Sequence, residues 1–236
     1  MLPPGQSVFF GQLGMPCFCG PVFSKAEAMS NFGIYVTNIP KMFWSVYSEK
    51  PFQSCLKCKV PLIEANSFVI QKRVVADETV FEMAMCERCR EGMTAEFSEQ
   101  TRQNLTNHMN QQLREAAEKL AAEANENGEI FVPEIDDDEV GQKMMNDSID
   151  HCMMCERPRA ECHRYSLLSL CSDDQLIAQV TPVVRTPMMM CEDCEGNMAD
   201  LISQETRDQW NDFVAEYFDG PPGISIDSPT GYPIGF

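Results

Sequence analysis

Eight of the twelve cysteines in this 236-residue chain fall into two copies of one pattern, a CxxC turn followed at a distance by a second CxxC. Met85-Cys86-Glu87-Arg88-Cys89 aligns with Met190-Cys191-Glu192-Asp193-Cys194 at an offset of 105. The match runs on through Met93 and Met198, Ser98 and Ser203, Thr101 and Thr206, and Arg102 and Arg207, so eight of the eighteen positions from 85 to 102 are identical. About one identity is expected by chance at average residue usage. Upstream, Cys55, Cys58 and Pro61 align with Cys152, Cys155 and Pro158 at an offset of 97, so the second copy carries eight extra residues somewhere after Pro158. Such self-similarity means that one supersecondary unit is used twice.

Each copy reads in the same order. A cysteine turn comes first, and two runs of strand character follow. In the first copy these are Ser67–Val75 and Thr79–Met85, split by Ala76-Asp77-Glu78. In the second they are 164–171 and 176–190, split around Ser172-Asp173-Asp174. β-Branched and aromatic residues on either side of a short polar break predict a hairpin. The second CxxC then opens a helical stretch. In the first copy it continues to about Ala124, with apolar residues at 93, 97, 105, 109, 113 and 120, close to helical spacing. Ser98 and Ser203 suit the cap of a second helix after a short first one. The apolar stripe on each helix must be covered, and the duplicate is the nearest cover, so the copies are expected to pack about a pseudo-twofold axis.

The remaining chain divides by composition. Residues 1–48 form an N-terminal extension with no counterpart in the second copy. Translation from Met42 is one expectation there, testable by intact mass. Residues 49–126 hold the first copy with its long helix. Residues 127–150 read as an acidic linker, with eight acids and one lysine between Glu129 and Asp150. A charge run of this kind is usually a solvated loop, and its spacing does not match an EF-hand calcium loop. Residues 151–219 hold the second copy. Residues 220–236 form a tail rich in Pro and Gly, a composition that resists regular structure.

Zinc takes four thiolates in a tetrahedron with Zn–S of about 2.3 Å, and a CxxC turn presents two sulfurs to one metal. The chain therefore offers two Zn²⁺ sites: Cys55, Cys58, Cys86 and Cys89, then Cys152, Cys155, Cys191 and Cys194. The spacers of 27 and 35 residues suit a hairpin that returns the chain to the metal. Iron in a rubredoxin-like site uses the same ligands but usually takes both pairs from loops. A thioredoxin-type redox site needs one CxxC, so four cysteines per copy are superfluous for it. Cys171 sits in a strand run as a small apolar residue. Cys162-His163, His151 and the CxC of Cys17 and Cys19 are weak candidates for a further site. Met83, Met85 and Met188 to Met190 read as packing around the metal, with a Met-rich partner surface as the alternative. With Cys55-Leu56-Lys57-Cys58 and Cys86-Glu87-Arg88-Cys89, and their counterparts in the second copy, each unit resembles the treble-clef zinc fingers. That resemblance implies an α+β fold of two tandem units of cysteine turn, β-hairpin and helix. It implies no activity, because treble clefs serve many functions. The glycine that often follows the second cysteine is replaced by Lys59 and Glu156.

Charge narrows the functions. Thirty-six acids face 18 bases, a formal net charge of −18. Such a field disfavours nucleic acid, whose affinity comes largely from neutralised phosphates, and anionic membranes. No run reaches the ~18 apolar residues of a membrane span. The apolar start lacks the basic n-region of a signal peptide, and paired CxxC spacing fits a reducing compartment, so a cytoplasmic protein is expected. Two closed four-thiolate sites leave no open position for substrate, which marks structural zinc. The expected function is a non-enzymatic interaction or scaffold module with a protein partner of unassigned identity. One alternative is nucleic-acid binding through Lys57, Lys59, Lys72, Arg73, Arg88 and Arg90 of the near-neutral first copy. Another is a thiol-redox or hydrolytic enzyme.

Overall fold

Both hairpins form where β-branched, aromatic and aliphatic residues flank a short polar break. The computed structural model describes residues 34–123, 138–180 and 185–218. The expectations for residues 1–33, 127–137 and 220–236, including Cys17 and Cys19, lie outside the described residues. In the first repeat, β2 (Phe68–Val75) pairs with β3 (Glu78–Cys86) through a turn at Ala76 and Asp77, both at positive φ (49° and 65°). In the second, β4 (Arg164–Ser172) pairs with β5 (Gln175–Val180) through a turn at Asp173, φ 55°. The single run expected over 176–190 is instead three strands: β5, then β6 (Arg185–Thr186), then β7 (Met188–Cys191). β7 returns to β4, while β5 leaves it to pair with β6 and with β1 (Ile34–Asn38). In β2–β3 the register shifts between Arg73 and Val74, beside Val80. The offset of 97 holds from β2–β3 to β4–β5 as far as Ile177, the counterpart of Val80, and the offset of 105 begins by Met188, the counterpart of Met83. The eight extra residues therefore lie between Ile177 and Met188, where the first repeat has only a bulge. β1 precedes Met42, so the sheet uses residues that a chain starting there would lack.

All strand pairs are antiparallel, in the order β1-β5-β4-β2-β3, with β6 on β5 and β7 on β4. The two repeats join through β2 and β4, and the register is self-complementary. Gln71 faces its own counterpart Leu168, and the pairs on either side (Ile70 with Ser169, Lys72 with Leu167) exchange under the repeat. A pseudo-twofold axis thus passes between Gln71 and Leu168.

Five α-helices complete the described fold. α1 (Glu87–Ala95) and α4 (Glu192–Ala199) follow the second CxxC of each repeat; α2 (Glu99–Glu123) and α5 (Gln204–Tyr217) are the longer helices after them. Ser98 and Ser203 cap α2 and α5 as expected, each hydroxyl accepting from the amide three residues on, Thr101 and Thr206. The caps also meet. The Ser98 and Ser203 hydroxyls are 2.7 Å apart, those of Thr101 and Thr206 are 3.0 Å apart, and the Ser98 and Ser203 amides donate to Thr206 and Thr101 at 3.0 and 2.9 Å. The pseudo-twofold relation is therefore present, but polar caps and a shared sheet make it. The α2 and α5 stripes are covered differently. α5 buries Trp210, Phe213 and Val214 and reaches the first repeat, where Phe218 just beyond it stacks on Phe81 of β3 with centroids 4.7 Å apart. On α2, Met109 and Leu113 are each 40% exposed.

The stretch read as a linker differs over its second half, which is helix α3 (Asp138–Asp150). Gly141, Met145, Ser148 and Ile149 are buried on one face. That spacing of about one helical turn is an amphipathic signal that the flanking acids mask. Where Gly141 meets β1, an added Cβ would lie 2.2 Å from the Tyr35 ring.

Candidate metal centres

The turn Cys55-Leu56-Lys57-Cys58 closes when the Lys59 amide donates to Cys55 O at 3.0 Å and the Cys55 amide donates to Val60 O at 2.9 Å. In Cys152-Met153-Met154-Cys155 the same bonds run from Glu156 to Cys152 O and from Cys152 to Arg157 O, both at 2.9 Å. Lys59 and Glu156 take φ of 61° and 60°. The conformation that favours glycine is thus kept without it. Each turn is then fixed to the strand leading into its second cysteine pair: Leu56 donates to Ala84 O and Met153 to Met189 O, both at 2.9 Å. Cys86 ends β3 and sits at the N-cap of α1; Cys191 ends β7 and sits at the N-cap of α4. Cys89 and Cys194 follow in the first helical turn, where the helix dipole favours a negatively charged sulfur.

This construction gathers the eight expected ligands into two groups of four. Within each group the four Sγ atoms lie within 4.8 Å of one another. Cys58 and Cys86 are 3.7 Å apart and Cys155 and Cys191 3.6 Å. Four sulfurs about 2.3 Å from a tetrahedral ion are about 3.8 Å from each other, so both groups can hold a metal ion. None of the eight is in a disulfide. The Cys86 amide donates to Cys55 Sγ and the Cys191 amide to Cys152 Sγ, both at 3.4 Å. These bonds orient a sulfur and soften its charge.

Crowding sets the protonation of the metal-free groups. Burial works to raise the Cys58 thiol, but the Val60 amide and the neighbouring thiols outweigh it, leaving a pKa of about 6. Burial likewise opposes Cys152, which backbone donors at Cys191, Cys155 and Met154 bring down to about 7. Cys86, Cys89, Cys191 and Cys194 are all pushed up, by burial first and then by neighbouring sulfurs. A cluster that ionises one thiol readily and resists the next is one that a divalent cation completes.

The other candidates fall away from these centres. Cys171 is buried, with a thiol pushed up to about 12 by burial. Cys162 is half-buried and directs its thiol at Pro158 O, 3.5 Å away. His151 and His163 are exposed, and among the described residues neither belongs to a group able to hold a metal. Met83, Met85, Met189 and Met190 are buried, in keeping with packing around the sulfurs. Of the six bases expected on one face of the first copy, Lys72 and Arg73 are only 2% and 4% exposed. Lys72 is paired with Glu82 at 3.1 Å and Arg73 with Glu195 of the second repeat. The Arg73–Glu195 pair, which Ser166 extends by donating to Glu195 at 3.0 Å, was not foreseen. Its one trace in the sequence is a charge swap, Arg90 standing where the second repeat has Glu195.

Among the described residues no helix is long and apolar enough to cross a membrane. Comparisons with protein-family models, with curated proteins and with solved structures found no match.

Proposed function

We propose that the chain is a non-enzymatic protein-interaction module built on two structural zinc ions, each in a treble-clef-type finger. The observation that carries this reading is the pair of four-thiol groups, each with its four sulfurs within 4.8 Å of one another and able to supply every ligand from the protein. Four protein thiolates fill the coordination shell of zinc, so the ion organises the fold and offers no open position to a substrate. The order of turn, hairpin and helix around each group supports the treble-clef assignment. Among the described residues the histidines a hydrolytic site would use, His151 and His163, stand apart from the sulfurs, which agrees with a scaffold. Nucleic acid ranks below protein as a partner, because two of the six candidate bases are spent inside the molecule while the net charge is −18.

Strong chelation tests this function. Metal binding in zinc-finger peptides supplies on the order of 10 kcal/mol of folding free energy, so removing zinc should abolish the native circular dichroism and zinc should restore it. A spectrum unchanged after verified metal removal would overturn the structural role.

A further inference from the structure

Outside the metal centres, the described surface has a groove of about 240 Å³ between the first repeat and α5. It is smaller than the ~300–1,000 Å³ of small-molecule sites, a size for one or two side chains of a docked segment. Its α5 wall carries Trp210, Phe213 and Tyr217, with successive ring centroids 5.1 and 4.9 Å apart. Exposed carboxylates of Glu96, Asp212 and Glu216 border it, against one base in the lining, Lys57. Lys59 holds its ammonium over the Tyr217 ring, 5.8 Å from the centroid, so the half-buried Tyr217 face accepts a cation, while Trp210 and Phe213 are buried. Gln209, also in the lining, has a buried Oε1 that accepts no hydrogen bond from the protein.

The repeat supplies an internal contrast. At the corresponding positions the second repeat and α2 have Leu105, His108 and Gln112 for the three aromatics, and Leu201, Asn107 and Gln111 for the three acids. The counterpart of Gln209 is Asn104, whose amide is engaged with Leu201 O at 2.9 Å. Both the aromatics and the negative charge belong to one groove only. The geometry points to this groove as the docking site for a lysine- or arginine-bearing segment of a partner protein, its cation among the carboxylates and its aliphatic stem against the aromatic wall. The chain has little to fill it with: residues 1–33 hold one base, Lys25, and residues 124–137, 181–184 and 219–236 hold none. The proposal rests on the interaction reading above and gives the partner its chemistry.

The test is an NMR titration of the zinc-loaded, ¹⁵N-labelled full chain with acetylated, amidated Ala-Ala-Leu-Lys-Leu-Ala-Ala and its norleucine and glutamate versions. The lysine peptide should shift the Trp210 indole and Gln209 amide resonances and bind at least tenfold more tightly than the other two. Glu96→Gln/Asp212→Asn/Glu216→Gln should weaken it at least tenfold. Glu64→Gln/Glu161→Gln/Asp174→Asn, which removes as many exposed acids elsewhere, should not. Equal binding of lysine and norleucine, shifts confined to α2, an undiminished affinity in the groove variant, or no binding would each overturn the proposal. Zinc content and circular dichroism of the same sample separate the two readings. A folded, zinc-loaded chain that ignores the peptide sinks the groove alone, whereas a chain folded without metal sinks the zinc module whatever it binds.

Discussion

Lys59 and Glu156 hold left-handed backbone at the same point of each cysteine turn. For an L-residue with a Cβ this costs roughly 1–2 kcal/mol, against the ~0.5–1 kcal/mol of chain entropy that glycine loses on folding. Glu156→Gly should therefore leave stability unchanged or raise it by up to ~1.5 kcal/mol, and Glu156→Val should lower it by ~1–2 kcal/mol. Urea unfolding of the zinc-loaded protein checks both. Arg73 and Glu195 pose a larger question, since both are buried. Arg73→Met leaves a buried carboxylate with only the Ser166 hydroxyl, a loss of ~3–5 kcal/mol, and adding Glu195→Met should recover most of it. A double variant as unstable as the single would contradict that account. The gathering of eight cysteines into two groups of four was legible in the sequence because metal chemistry fixes the type and spacing of candidate ligands. Lys72 and Arg73 were not, because a base reads as exposed until its partner is known, and for Arg73 that partner is 122 residues away.

At the scale of elements, each four-cysteine group joins a turn, a strand end and a helix start, and the thiols must lose protons to bind a metal. Cys86 and Cys89 in the first group and Cys191 and Cys194 in the second are held above the ordinary thiol range. Each therefore carries its proton at pH 7 in a folded metal-free chain, and an ordinary thiol of the unfolded chain, with a pKa of about 8.5, does so too. Zinc binding should then release at least those two protons per group, and affinity should rise with pH. Calorimetric titration in two buffers of different ionisation enthalpy measures the release; no buffer dependence would contradict it. α3 rests on a different contact. Gly141→Ala drives a methyl into the Tyr35 ring, an overpacking worth ~1–3 kcal/mol, and Tyr35→Ala in the same chain should relieve part of it. The first hairpin could be read from its strand runs, and α2 from its 3.6-residue stripe. α3 could not, because its four buried positions are set among acids. The splitting of 176–190 into three strands was hidden because an insertion of eight residues does not show which strand takes it up.

At the scale of the molecule, the repeat makes the chain its own partner. The Ser98, Thr101, Ser203 and Thr206 network sits on the pseudo-twofold axis, with both threonines buried. Thr101→Val and Thr206→Val each orphan a cap amide of the other repeat, at ~1–3 kcal/mol. Because they share one network, a double-mutant cycle should show a coupling of at least ~0.5 kcal/mol, whereas additive losses would mean that the caps act separately. Duplication was plain in the sequence, and so was the expectation of a twofold axis. The surfaces that meet on it were not, since apolar stripes advertise burial while a self-complementary strand register and two facing caps emerge only in three dimensions. The two metal centres remain the basis of everything else, and the zinc K-edge spectrum of the natively purified chain, with its metal content, tests them most directly. Two zinc ions per chain, each surrounded by four sulfurs at about 2.3 Å, and one ion remaining after Cys191→Ser, is the result expected. Iron, nitrogen or oxygen ligands in the shell, or a chain that folds without metal would contradict it.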